Sequence, residues 1–196
     1  MLYKMRNVIE EHLAVIQAID TPLLEELERI VELCVEAIEN GRTLFFCGNG
    51  GSAADAQHLA AEFVVRFQKK RRAISAIALT TDTSILTACG NDYSFNEIFA
   101  RQIEALGKSG DILFAISTSG TSANIVRATE EARRCGVTAI AITGSARCVM
   151  DHIADILLKM PSEVTARIQE CYLLLGHILC GEVEQRIVDR GDERKG

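Results

Sequence analysis

From Arg42 onward, five short runs that are apolar throughout alternate with segments of helical periodicity, and this alternation constrains the fold more than any other feature of the chain. The runs are "TLFFC", "AISAIALT", "DILFAIS", "VTAIAIT" and "ADILLKM". Helical patterns lie between or after them at 53–67, 83–88, 95–106, 124–135 and 163–188. A strand with one wet face alternates apolar and polar residues, whereas a strand covered on both faces is apolar at every position. The expectation is an α/β fold: a three-layer αβα sandwich around a five-stranded parallel sheet, doubly wound in the flavodoxin manner.

Residues 5–40 precede the first strand and read as two helices. Val8, His12, Val15 and Ile19 recur at helical spacing, and Leu24, Leu27, Val31, Cys34 and Ile38 repeat the pattern. Thr21 is expected as the cap between them, with Pro22 at the first helical position. Such helices either cover the sheet or pair with another subunit. A length of 196 residues suits one domain: a helical hairpin over 1–40, an α/β core over 42–188 and a frayed tail over 189–196.

Composition excludes several classes. The net charge of −6 opposes nucleic-acid binding, and "KKRR" at residues 69–72 reads as a solvated loop. Seven cysteines without a C-x-x-C pair form no disulfide framework or structural zinc knot, which fits a reducing cytoplasm. Acidic residues within the N-terminal apolar pattern exclude a signal sequence or membrane span there.

Two loops follow strands and open helices. In "STSGTSAN", five hydroxyls occupy six consecutive positions. Ser117, Thr118, Ser119 and Ser122 can donate to an anion, while Gly120 lets the backbone turn tightly around it. A single helix cap needs one hydroxyl, so a phosphate cradle is the preferred reading. In "CGNGGSAAD", Gly48, Gly50 and Ala53 formally satisfy a dinucleotide fingerprint, with Asp82 as a candidate ribose ligand. The phosphate cradle favours instead a sugar chain lying toward Asn49, Gly50 and Gly51.

His58 and Glu62 are four residues apart, on one helix face, a spacing that serves acid–base chemistry or metal chelation. Gln169 and His177 interrupt the apolar pattern of the last helix and need partners if buried. Eight residues separate them by roughly 12 Å along the axis, so both reach one site only if it lies between them. Asn91 and Asp92 read first as a turn. Cys47 reads as packing.

Together, "CGNGGSAADAQHLAAE", "NDYSFNEIFARQI", "GDILFAISTSGTSANI" and "ARIQECYLLLGHIL" resemble the phosphoheptose isomerases of the sugar isomerase (SIS) fold, in the family's order and nearly end to end. The resemblance implies an isomerase converting sedoheptulose 7-phosphate to D-glycero-D-manno-heptose 7-phosphate, the first step toward the heptose of lipopolysaccharide. It implies Glu62 and His177 as the acid–base pair, and phosphate held by Ser117, Thr118, Ser119 and Ser122. Asn49, Gly50, Gly51, Glu62, Asn91, Asp92 and Gln169 would meet the rest of the substrate. It further implies zinc at His58, Glu62, Gln169 and His177, no nucleotide cofactor, and a homotetramer with interfacial active sites, with the N-terminal helices used in oligomerisation. Some relatives of the same fold act as adaptors of the replication initiator and lack the carboxylate and histidine. A dinucleotide-binding oxidoreductase is the other alternative.

Overall fold

The computed structural model describes residues 2–193. The elements run α1 (Leu2–Gln17), α2 (Thr21–Glu39), β1 (Leu44–Gly48), α3 (Gly51–Val64), β2 (Ala76–Ala78) and α4 (Thr83–Asp92). A 3₁₀ turn (Phe95–Glu97) and α5 (Ala100–Leu106) follow, then β3 (Ile112–Ile116), α6 (Ala123–Arg134), β4 (Thr138–Thr143), α7 (Met150–Ile153), β5 (Ile156–Lys159) and α8 (Thr165–Glu193). All five strands are parallel, in the order β2-β1-β3-β4-β5. This is the expected doubly wound arrangement.

The pleat of β1 divides its side chains between two cores. Leu44 and Phe46 pack with Ile30, Cys34, Phe63, Phe114, Tyr172 and Leu175 on the side of α2, α3 and α8. Phe45 and Cys47 pack with Phe99, Ile103, Leu113, Ile125 and Ala128 on the other side. Phe46 and Phe114, on neighbouring strands, stack with ring centroids 4.8 Å apart. Each such buried aromatic stabilises the fold by about 1.5–3 kcal/mol. Cys47 is wholly buried, and burial pushes its thiol up to about 12, which suits packing and not nucleophilic attack.

The two N-terminal helices divide the alternatives left open for them. α2 covers the sheet through Leu27, Ile30, Val31, Cys34 and Ile38. α1 buries no residue and exposes Leu2, Tyr3, Met5, Ile9 and Leu13. Polar contacts hold α1 to α8: His12 Nδ1 lies 2.8 Å from Glu170 Oε2, and Arg167 donates to the Val8 carbonyl at 3.3 Å.

Local differences from the sequence pattern have simple causes. Asp20, not Thr21, caps α2, accepting from the Leu23 amide at 3.0 Å; a carboxylate one residue earlier outcompetes the hydroxyl. The segment 95–106 is broken into a 3₁₀ turn and a helix, with Ser94 capping the turn. β2 shrinks to three residues at the sheet edge. α8 continues to Glu193, where Arg186 and Arg190 pair with Glu28 and Glu39 of α2, so 189–193 are helical. The remaining residues of the expected tail, 194–196, lie outside the described residues.

Candidate active site

The two glycine and hydroxyl loops leave adjacent strands at the point where the strand order reverses. Gly48 of β1 is in register with Ile116 of β3, so Asn49 and Ser117 step off the sheet side by side. Gly50 turns the chain with φ 56°, and Gly120 does so with φ 63°. Gly48 brings strand and helix together so closely that a Cβ would stand 2.5 Å from the Ser52 carbonyl oxygen. The loops are joined by a reciprocal amide pair: Asn49 Nδ2 donates to Asn124 Oδ1, and Asn124 Nδ2 donates back to Asn49 Oδ1, each at 2.8 Å.

Two helix N-termini open onto this place without side-chain caps. Gly50 precedes α3 and has no cap to offer, while Ser122 precedes α6 and makes no capping bond. Uncapped amides and the positive helix end are the physical requirements of an anion site. Ser117 donates to Ser122 at 3.1 Å, and Ser119 accepts from the Thr121 amide at 3.3 Å. Thr118, Ser119 and Ser122 keep access to solvent. The Thr118 carbonyl accepts from Gly144 at 3.0 Å, which ties the loop to the end of β4.

α3 crosses α8 beneath this loop. Gly176 permits the crossing: a Cβ there would lie 2.8 Å from Leu59 Cδ2. The approach brings His58 and His177 Nε2 to Nε2 at 2.8 Å, their rings edge to face at 81°. Glu62 Oε1 stands 3.8 Å from His58 Nε2. Phe67 stacks on the other ring of the pair, that of His177, with centroids 5.6 Å apart and planes 17° from parallel. The structure thus gathers His58, Glu62 and His177 from segments more than a hundred residues apart.

Other expected members lie elsewhere. The Gln169 amide nitrogen sits against Gly51, 2.7 Å from where a Cβ would be. Gln169 therefore serves the glycine loop, two turns of α8 before the imidazole pair. Asn91 and Asp92 are exposed at the end of α4, and Asn91 donates to Asp92 at 2.8 Å. Asp82 caps α4, accepting from the Ile85 amide at 2.9 Å, so the carboxylate considered for a ribose is engaged.

The metal quartet is only partly assembled. Among the described residues, no group of three or more His, Cys, Asp or Glu side chains forms a cage for an ion. Imidazole nitrogens on one tetrahedral zinc stand about 3.3 Å apart, farther than the hydrogen-bonded pair seen here. The donor types suit zinc, but the residues as they stand do not fit it.

Several site residues escaped the sequence reading. Tyr172, one turn after Gln169, is buried and donates to Asp55 Oδ2 at 2.5 Å and contacts Ser52 Oγ at 2.9 Å. Burial, reinforced by Asp55, pushes its phenol upward, so it acts as a fixed donor. A tyrosine inside an apolar helix needs a polar partner, which was the available signal. The "KKRR" run also departs from expectation. Lys69, Lys70 and Arg72 are exposed, but the Arg71 side chain is 3% exposed and faces Glu184.

A family model described as the SIS domain matches residues 9–144. The chain is 51% identical to the phosphoheptose isomerase of Paramagnetospirillum magneticum, over 90% of this chain and 92% of that protein. It is 46% identical to that of Geotalea daltonii, over 95% and 97%. The solved phosphoheptose isomerase of Neisseria gonorrhoeae superposes with a TM-score of 0.88 at 40% identity, covering 94% of this chain and 98% of the other. Fold, switch-point loops and relatives agree along nearly the whole length, and the chain belongs to the SIS domain family and, within it, to the phosphoheptose isomerases.

Proposed function

We propose that this protein interconverts sedoheptulose 7-phosphate and D-glycero-D-manno-heptose 7-phosphate through an enediol, supplying the heptose of lipopolysaccharide. The observation that carries the reading is the meeting of Glu62, His58 and His177 where α3 crosses α8, on the same helix whose uncapped N-terminus opens at the switch-point loops with that of α6. Ser117, Thr118, Ser119 and Ser122 hold the phosphate; Asn49, Gly50, Gly51 and Gln169 hold the sugar chain, with Asn91 and Asp92 at its margin.

Glu62 removes a proton from C1 of the ketose, the electron pair forms the C1=C2 bond, and O2 takes up a proton. Return of a proton to C2 with loss of the O1 proton leaves the aldose. His177 moves the oxygen-bound protons. Its contact with His58 leaves one shared hydrogen between two Nε2 atoms, so one imidazole accepts while the other donates. General acid–base groups of this kind contribute about 10²–10⁴-fold each.

The proposed assembly is a homotetramer. Supporting it are the apolar residues exposed on α1 and the exposed Leu174 and Ile178 on either side of His177. A single domain in the cytoplasm is the accompanying reading; all seven cysteines are unpaired, and no helix among the described residues is long and apolar enough to cross a membrane. Zinc at His58, Glu62, Gln169 and His177 takes no part in these steps, and melting with and without chelator tests its presence. The decisive experiment incubates the protein with sedoheptulose 7-phosphate and assays aldose formation, beside Glu62→Gln and His177→Gln. Two variants as active as the parent would end this assignment.

A further inference from the structure

The segment that follows α3 is fastened by a single buried carboxylate. Glu184, on α8, is 2% exposed and accepts three consecutive backbone amides: Phe67 at 2.9 Å, Gln68 at 2.6 Å and Lys69 at 2.7 Å. Three N–H groups converging on one anion form a nest, built here for the protein's own side chain. Arg71 closes the same loop from the other end. Its Nε lies 3.3 Å from Glu184 Oε1, although no hydrogen bond aligns there. Its Nη2 donates to the Glu62 carbonyl at 2.7 Å, and Nη1 reaches the Val65 carbonyl at 3.4 Å.

These contacts end on the two groups of the acid–base reading. The Glu62 carbonyl belongs to the last turn of α3, where carbonyls lack helical partners and a cation is favoured. Phe67, held by Glu184 through its amide, carries the ring stacked on His177. One side of the loop therefore fixes the backbone beneath Glu62, and the other fixes a wall behind the imidazole. A structural staple alone has no need to end on both.

We propose that Arg71 and Glu184 are positioning residues for the isomerisation, acting through Phe67 on His177 and through the end of α3 on Glu62. The inference rests on the acid–base roles given above. A shift of about 1 Å in a catalytic group can cost on the order of 10²-fold in rate, so looser placement should appear in kcat before KM.

The test measures kcat and KM for sedoheptulose 7-phosphate in Phe67→Leu, Phe67→Tyr and Arg71→Met, with melting and circular dichroism on each and Glu62→Gln as control. Phe67→Leu keeps apolar volume and is expected to fold, with kcat down about tenfold and KM within about twofold of the parent. Phe67→Tyr restores the stacked ring and most of the rate. Arg71→Met lowers kcat in the same direction. Parental kcat in folded Phe67→Leu, with Glu62→Gln inactive, overturns the inference and leaves the acid–base reading intact. A rate loss that merely tracks loss of folded protein also overturns it. An active Glu62→Gln removes the acid–base reading itself.

Discussion

His58 and His177 approach Nε2 to Nε2 at 2.8 Å across 119 positions of sequence, and this contact joins the third helix to the last. One hydrogen occupies the line between them, so one ring donates, the other accepts, and each keeps only its Nδ1 for another partner. His177→Gln and Glu62→Gln should each lower kcat by about 10²–10⁴-fold. His58→Asn should lower it by only about tenfold, since it removes orientation and not the exchanging group. Steady-state kinetics on the three variants checks the order.

The hydroxyl loop predicts the opposite kinetic signature. On the proposed phosphate reading Ser119→Ala deletes a donor far from the reacting carbons, so KM should rise about tenfold while kcat changes little. Gly120→Ala should be more damaging. Its φ of 63° disfavours any side chain, and the new Cβ would collide with Cys148 Sγ. Adding Cys148→Ala removes the Sγ collision but leaves Cys148 Cβ 2.7 Å away and the backbone strain in place, so rescue measured by melting should be slight.

Gly176 sets the distance between α3 and α8. Gly176→Ala gains about 1 kcal/mol of helix propensity but drives a methyl to 2.8 Å from Leu59 Cδ2, an overpacking that costs about 1–3 kcal/mol. The net change in melting should be small. Activity should fall further than stability does, because the same displacement parts His58 from His177. Thermal denaturation and kcat on one preparation separate the two effects.

Glu184 predicts an acid limb of stability. Burial works to raise its carboxyl, but the amides of Gln68, Lys69 and Phe67, with Arg71, outweigh burial and hold it below the usual carboxylate range. A folded-state value below the unfolded one gives stability that is full above about pH 4–5 and is lost as pH falls through the folded value. Glu131, Asp151 and Glu170 are lowered too and share this window. Glu184→Gln should therefore flatten, without abolishing, the decline in melting temperature between about pH 5 and pH 3. At neutral pH the same variant leaves Arg71 unpaired in a buried place and should cost about 3–5 kcal/mol.

The strands and both switch-point loops were legible because their signals are local: uniform apolarity for the sheet, and glycines with hydroxyls for the turns. His58 and Glu62 were legible as a pair because helical spacing alone puts them on one face. His177 as their neighbour was not written in any spacing. It depends on Gly176 meeting Leu59, a contact between helices. Gln169 sits at Gly51 for the same tertiary reason, two turns from the imidazoles with which it was grouped. Arg71 looked like one more solvated cation because its partner, Glu184, is supplied by a helix more than a hundred residues later.

One member of the imidazole pair rides on the last helix of the chain. During synthesis the strands and both loops leave the ribosome before His177 does, but the face of the sheet that Tyr172 and Leu175 cover stays open until α8 follows. A chain ending before α8 would lack His177, Gln169, Tyr172 and Glu184 together. Premature termination would then leave one face of the sheet without its cover, so loss of these side chains and loss of a packed core come together.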